Sequence, residues 1–158
     1  MKHLPKHLQP RWRYLAVGIE TWPDAGFDRG DFQRHLWYAA QNLLGEATSA
    51  ELDLRVLRFE LESGAGHAVI RVRRGEIERA RAAVACLDTV DGAEIGVHVR
   101  GVSGTVRACE EKYLRGGPEA HEERTVAFEA EQRTAVVRSS RYDVAMPDGF
   151  AGATTLDI

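Results

Sequence analysis

In Val99-Arg100-Gly101-Val102-Ser103-Gly104-Thr105-Val106-Arg107 an alternating strand gives way, across two glycines, to a helical segment ending Glu110-Glu111-Lys112-Tyr113-Leu114. A glycine on either side of a Val-Ser pair lets the backbone turn tightly at low steric cost. Gly101 and Gly104 are therefore expected to supply backbone angles that a side chain would strain. Ser103 or Thr105 can cap the following helix by accepting a backbone N–H. Val106, Cys109 and Tyr113 recur at helical spacing, an apolar stripe that must bury against the sheet or against a partner.

Upstream of this corner, Glu94–Arg100 alternates, with Ile95, Val97 and Val99 inward. Asp91-Gly92 closes the segment before it, a helix opened at Gly75 that carries Ile77, Ala80, Val84 and Leu87. Further back, Ser63-Gly64-Ala65-Gly66 joins a strand near Leu54–Leu61 (Leu57, Phe59 and Leu61 inward) to His67–Arg73 (Ala68, Ile70 and Val72 inward). Asp28 caps an earlier helix with Phe32, Leu36, Ala39/Ala40 and Leu43 along one stripe and Gly45 as its stop. Trp22-Pro23-Asp24-Ala25-Gly26 separates that helix from a first strand, Arg11–Glu20, with Leu15, Val17 and Ile19 on one face and Trp12, Tyr14 and Ala16 on the other.

The order is strand–helix–strand–strand–helix–strand and then a third helix. That predicts an α+β fold of the split βαβ type, ferredoxin-like or RRM-like: one antiparallel sheet, helices on one face. The free sheet face should carry Trp12, Tyr14, Arg58, Arg71, Arg73, His98 and Arg100. Residues 1–10 read as a basic arm in which Pro5 and Pro10 oppose helix. Residues 11–116 form the core, and 117–158 an acidic extension. The extension shows two strand-like runs, Thr125–Glu129 and Thr134–Arg138, a short hairpin, and a small-residue end from Pro147 to Ile158 expected to be loosely ordered.

With 44% apolar and 28% charged residues, the 158-residue chain has the composition of a soluble globular protein. No apolar run approaches the roughly 18 residues of a membrane span, and the N-terminus lacks a signal-like apolar stretch. Cys86 and Cys109 fit buried free thiols in a reducing cytosol. Charge is unevenly spread: residues 1–116 hold 17 basic against 16 acidic groups, residues 117–158 hold 4 against 8. Eighteen of the 21 basic residues are arginine. So much acid with so little lysine suits a high-salt cytoplasm.

A catalytic constellation is not evident. Gly101-Val102-Ser103-Gly104 lacks the Gly-x-Ser-x-Gly spacing of a nucleophile elbow. His3, His7 and His121 join no ligand set of zinc-like spacing. Gly64-Ala65-Gly66 lacks the lysine and helix of a phosphate loop. RNA binding fits better, since arginine bonds phosphate bidentately and stacks on bases. Against it stand two plainer fates for those arginines, a solvated strand face or burial under the third helix. The third strand also lacks the paired aromatics of a single-strand reader.

Gly101-Val102-Ser103-Gly104-Thr105 followed by a charged helix resembles the C-terminal core motif of the archaeal ribonuclease P protein component 2 family. The likeness extends to Arg13-Tyr14 in the first strand, Leu44-Gly45-Glu46 at the first-helix exit, Arg71 and Arg74 about strand three, Arg81 in the next helix and Tyr113-Leu114. It spans about residues 4–115 in one order. Glu110-Glu111 depart from a segment that relatives often make basic, and residues 118–158 have no counterpart. The resemblance implies a protein subunit of ribonuclease P, the ribonucleoprotein that removes 5′ leaders from precursor tRNA. The RNA would perform magnesium-dependent cleavage, and the protein would bind no cofactor or metal of its own. Component 3 and other protein subunits would be its partners, and a homodimer within a heterotetramer is one arrangement this allows. A cytoplasmic location, without membrane, follows. Lys2, Lys6, Arg11, Arg13, Tyr14, Arg58, Arg71, Arg73, Arg74 and Arg100 are the RNA-binding candidates; Val106, Cys109 and Tyr113 would face a protein partner. The alternative is a small βαββαβ regulatory or ligand-binding module without nucleic acid, which fold alone leaves open.

Overall fold

A computed structural model describes residues 5–8, 11–115, 122–138 and 141–158. Strand β1 (Trp12–Thr21) leads to helix α1 (Arg29–Leu44), whose entry is fixed by a reciprocal cap. The Asp31 N–H donates to Asp28 Oδ1 at 2.8 Å and the Asp28 N–H to Asp31 Oδ2 at 3.1 Å. Phe32, Leu36 and Ala40 form the buried stripe of α1. Leu43 is exposed, because the next inward position is Leu44, four residues after Ala40. A short helix absent from the sequence reading, α2 (Glu46–Leu52), follows Gly45 and buries Leu52 completely.

Strands β2 (Arg55–Glu62) and β3 (Ala65–Arg73) form a hairpin whose two turn residues, Ser63 and Gly64, both have positive φ. That is the backbone a two-residue hairpin turn requires. Residue 57 sits at a bulge: Val56 pairs with Ile70, yet Arg58 pairs with Val69. The extra residue moves the core position from Leu57, where simple alternation puts it, to Val56, which is 1% exposed. Helix α3 (Ile77–Ala85) buries Ala80, Ala83 and Val84. A two-residue strand β4 (Thr89–Val90) then pairs with β5 (Ala93–Ser103). Both cysteines are free thiols; Cys109 is buried as expected, but Cys86 is exposed at the end of α3.

The sheet order is β2-β3-β1-β5-β4, antiparallel throughout. Helices α1 and α3 cover one face, enclosing Leu15, Val17, Phe32, Leu36, Ile70 and Val84. This is the split βαβ arrangement. The last helix, α4 (Val106–Tyr113), lies on the opposite face. Its stripe is turned onto the sheet: Cys109 is fully buried with Ala16, Val69 and Leu114, and Val106 and Tyr113 pack beside them. The partner-facing role expected for Val106, Cys109 and Tyr113 is thereby corrected, because Ala16 and Val69 leave an apolar trough that this helix fills. Thr105, not Ser103, is the cap, accepting the Ala108 N–H at 3.1 Å. Neither Gly101 nor Gly104 has positive φ. Gly101 is needed for another reason: a Cβ there would strike the Tyr113 ring.

The extension is not a hairpin with a loose tail but a four-stranded antiparallel meander. It comprises β6 (Glu122–Phe128), β7 (Glu131–Arg138), β8 (Arg141–Met146) and β9 (Gly149–Thr154). It has its own small core of Val126, Ala135, Val137, Tyr142, Val144 and Ala153. Arg138, 8% exposed, joins it to the first sheet. This guanidinium donates to the Gly64 carbonyl at 2.6 Å and the Ser63 carbonyl at 3.1 Å, and its Nε lies 3.3 Å from Asp143 Oδ2.

Candidate nucleic-acid interface

Alternation along β1 and β3 puts Trp12, Arg71 and Arg73 on the sheet face that carries α4. Trp12 pairs directly with Arg73, and Arg71 with Arg55 of β2. The Arg71 guanidinium lies 3.8 Å from the centroid of the Trp12 ring and that of Arg73 5.2 Å from it. Guanidinium over indole is an attractive arrangement that keeps the planar N–H fork in a fixed orientation. Asp53, held at φ 49 at the end of α2, places Oδ2 3.8 Å from both arginines. At that distance, and with Asp53 and Arg73 well exposed, the pairing is weak. Arg11 and Arg74 border the same end, tied by the Arg74 N–H donating to the Arg11 carbonyl at 2.9 Å. Two guanidinium groups therefore lie against one indole, with Arg55 beside Arg71 on the neighbouring strand and the Asp53 carboxylate near both. Arg55 was not among the residues singled out from sequence; its position opposite Arg71 depends on the bulge after Val56.

The other candidates have different fates. Arg13 pairs with Val72, on the face that carries α1 and α3, and donates to the Trp12 carbonyl at 3.0 Å. That takes it off the arginine-rich face, since adjacent strand residues point to opposite sides. Tyr14 is half-buried beside α4. Arg58 is exposed and pairs with Glu110 of α4 at 3.2 Å, so one of the two acids that depart from the resemblance holds a basic candidate. Arg81 is exposed on α3, behind the sheet. Arg100 occupies the bulge of β5, between Val99 opposite Val17 and Gly101 opposite Ala16. Lys2 and the side chain of Lys6 lie outside the described residues.

Helix α4 thus splits the face into two cationic regions. One surrounds Trp12; the other centres on Gly18, which pairs with His67 on one side and His98 on the other. Their centres, Trp12 and Gly18, lie six positions apart along β1, about 20 Å at ordinary strand rise. Among the described residues no cluster of His, Cys, Asp or Glu is arranged to hold a metal ion. What this face offers is fixed guanidinium donors and one stacked aromatic, a chemistry suited to anionic oxygens rather than to bond cleavage.

The profile described as the Rpp14/Pop5 family matches residues 13–114. The chain is 65% identical over 158 residues to ribonuclease P protein component 2 of Natronomonas pharaonis, covering 100% of this chain and 98% of the relative. It is 62% identical over 159 residues to the protein of the same name from Haloarcula marismortui, covering 99% of each. A chain in the cryo-EM structure of yeast ribonuclease MRP superposes with a TM-score of 0.46 at 15% identity, over 60% of this chain and 75% of that one.

Proposed function

The chain belongs to the Rpp14/Pop5 family, and from that premise we propose how it serves as a protein subunit of archaeal ribonuclease P in tRNA processing. The arginines around Trp12 contact phosphates of the ribonuclease P RNA, and the stacked Arg71 carries the reading. Its guanidinium plane is already oriented by the indole, so little side-chain freedom is lost when a phosphate is bound. Such contacts fix the register of RNA on protein and lower phosphate repulsion, and carry no sequence information of their own. Hydrolysis of the precursor tRNA leader is assigned to the RNA with its magnesium. The protein supports that fold without touching the scissile bond. The other protein subunits, component 3 foremost, dock elsewhere on the molecule. A homodimer of this chain within a heterotetramer belongs to the same reading. No helix among the described residues is long and apolar enough to cross a membrane, and we place the complex in the cytoplasm.

Two measurements test this. Purified protein free of RNA, given precursor tRNA and magnesium, should yield no 5′ cleavage; robust cleavage would overturn the division of labour. Replacing Arg71 and Arg73 by glutamine should weaken binding to the RNA and shallow the salt dependence by about one unit of log–log slope per lost contact. An unchanged slope in a folded double variant would remove the Trp12 region from the interface.

A further inference from the structure

The second cationic region is a cleft, and the C-terminal meander supplies one of its walls. On the sheet side the His98 ring and the Arg100 guanidinium lie across Gly18. A Cβ at residue 18 would strike the ring and stand 2.9 Å from Arg100 Nε. Glycine here therefore makes a depression in the sheet into which two basic side chains fold. Gly18 also pairs with His67, so imidazoles flank it on both neighbouring strands. On the other side Arg141, the first residue of β8, reaches over to pair with Glu20. The space between is about 280 Å³, bordered by Glu20, His98, Arg100, Arg138 and Arg141. Arg138 is committed to the Ser63 and Gly64 carbonyls and to Asp143. Arg100 makes no ion pair among the described residues. The Arg100 and Arg141 guanidinium groups and the His98 ring thus border the space together with the Glu20 carboxylate, while His67, on the other neighbouring strand, is turned to Glu60 at 3.1 Å.

We propose that this cleft seats a backbone phosphate of the ribonuclease P RNA, with Arg100 and His98 from the core and Arg141 from the meander as its donors. The proposal rests on the RNA-facing reading above and extends it beyond residue 114, where the family match ends. Its occupant gives the Arg100 guanidinium an anionic partner of bidentate geometry. The cleft shares a face with the Trp12 region, so one RNA surface can reach both. The Glu20–Arg141 pair does not block entry. Both side chains are substantially exposed, such pairs are weak, and a phosphate gives guanidinium a bidentate partner. Glu20 acts as the placeholder that holds Arg141 in position until RNA displaces it.

Full-length protein and the ribonuclease P RNA transcribed from the same genome provide the test, with affinity measured across a KCl series. Arg100→Gln and Arg141→Gln should each shallow the salt slope by about one unit. Glu20→Gln removes the competitor and should tighten binding roughly 1.5- to 5-fold, the worth of an exposed ion pair. If the Arg71 and Arg73 variants lose slope while Arg100→Gln and Arg141→Gln keep it, the cleft is wrong and the broader reading stands. If all four arginine variants keep the parental slope, both fail. Saturable binding of inorganic phosphate with RNA affinity unchanged by these substitutions would overturn the assignment to RNA. Should Arg141→Gln lower the melting temperature, Arg100→Gln and Glu20→Gln decide the matter.

Discussion

Cys109 and Cys86 carry the same thiol into opposite environments. Cys109 is fully buried, and its Sγ donates to the Tyr14 carbonyl at 3.7 Å. Burial first, and the neighbouring Glu110 carboxylate second, push that thiol up from 9.0 to about 11. Cys86 is exposed. A maleimide at neutral pH should therefore add once per native chain, at Cys86, and a second time only after unfolding. Two rapid additions to native protein would mean that α4 does not stay on the sheet. The alkaline limb follows from the same residue. The folded thiol holds its proton to higher pH than the unfolded one, so its contribution to stability is complete below about pH 9. It is lost as pH climbs through about 11. Urea midpoints should fall across that window in the parent protein and fall less in Cys109→Ala.

At the scale of the element, α4 shows why the strand-to-helix corner needs only one of its two glycines. A side chain at Gly101 would drive the Tyr113 ring off the sheet, whereas nothing lies within 4 Å of a Cβ at Gly104. Gly101→Val should cost about 1–3 kcal/mol, the range for overpacking; Gly104→Val should stay within about 0.5 kcal/mol, as surface changes do. Equal losses from the two would mean that strain in the corner matters after all. The sequence alone revealed the long elements, because ten-residue strands and a 16-residue helix repeat their period several times. It missed α2, β4, β8 and β9. Elements of seven residues or fewer repeat their period too few times to stand out, and β9 is built largely from glycine and alanine. Bulges at Leu57 and Arg100 shifted the alternation by one residue, which is why Val56 and Arg55 escaped notice. Arg71 and Arg73 were legible because β3 is regular. The stacking of Arg71 on Trp12 was not, since it depends on which strands become neighbours. Whether the α4 stripe met sheet or partner was equally undecidable from its own periodicity.

At the scale of the whole molecule, two sheets have separate cores, and the buried Arg138 bridges them. Arg138→Ala would leave two carbonyls and the Asp143 carboxylate without this donor in a poorly solvated position, a change that costs about 3–5 kcal/mol for a buried pair. Calorimetry should then show the meander melting ahead of the core, with the transition of the larger sheet little changed. A single transition at the parental temperature would mean that the sheets are coupled by something else. The acceptors at this joint are main-chain oxygens, presented by the shape of the Ser63-Gly64 turn. Gly64 is fixed by space, since a Cβ on it would strike Arg138 and the Thr21 carbonyl, and position 63, at φ 49, needs only a residue that tolerates the left-handed region; the side chain at 63 accepts nothing from Arg138. Lineages can therefore rewrite the turn's other side chain without a compensating change at 138, and covariation between the two should be faint. A grafter could move the meander onto any core whose hairpin keeps that bend.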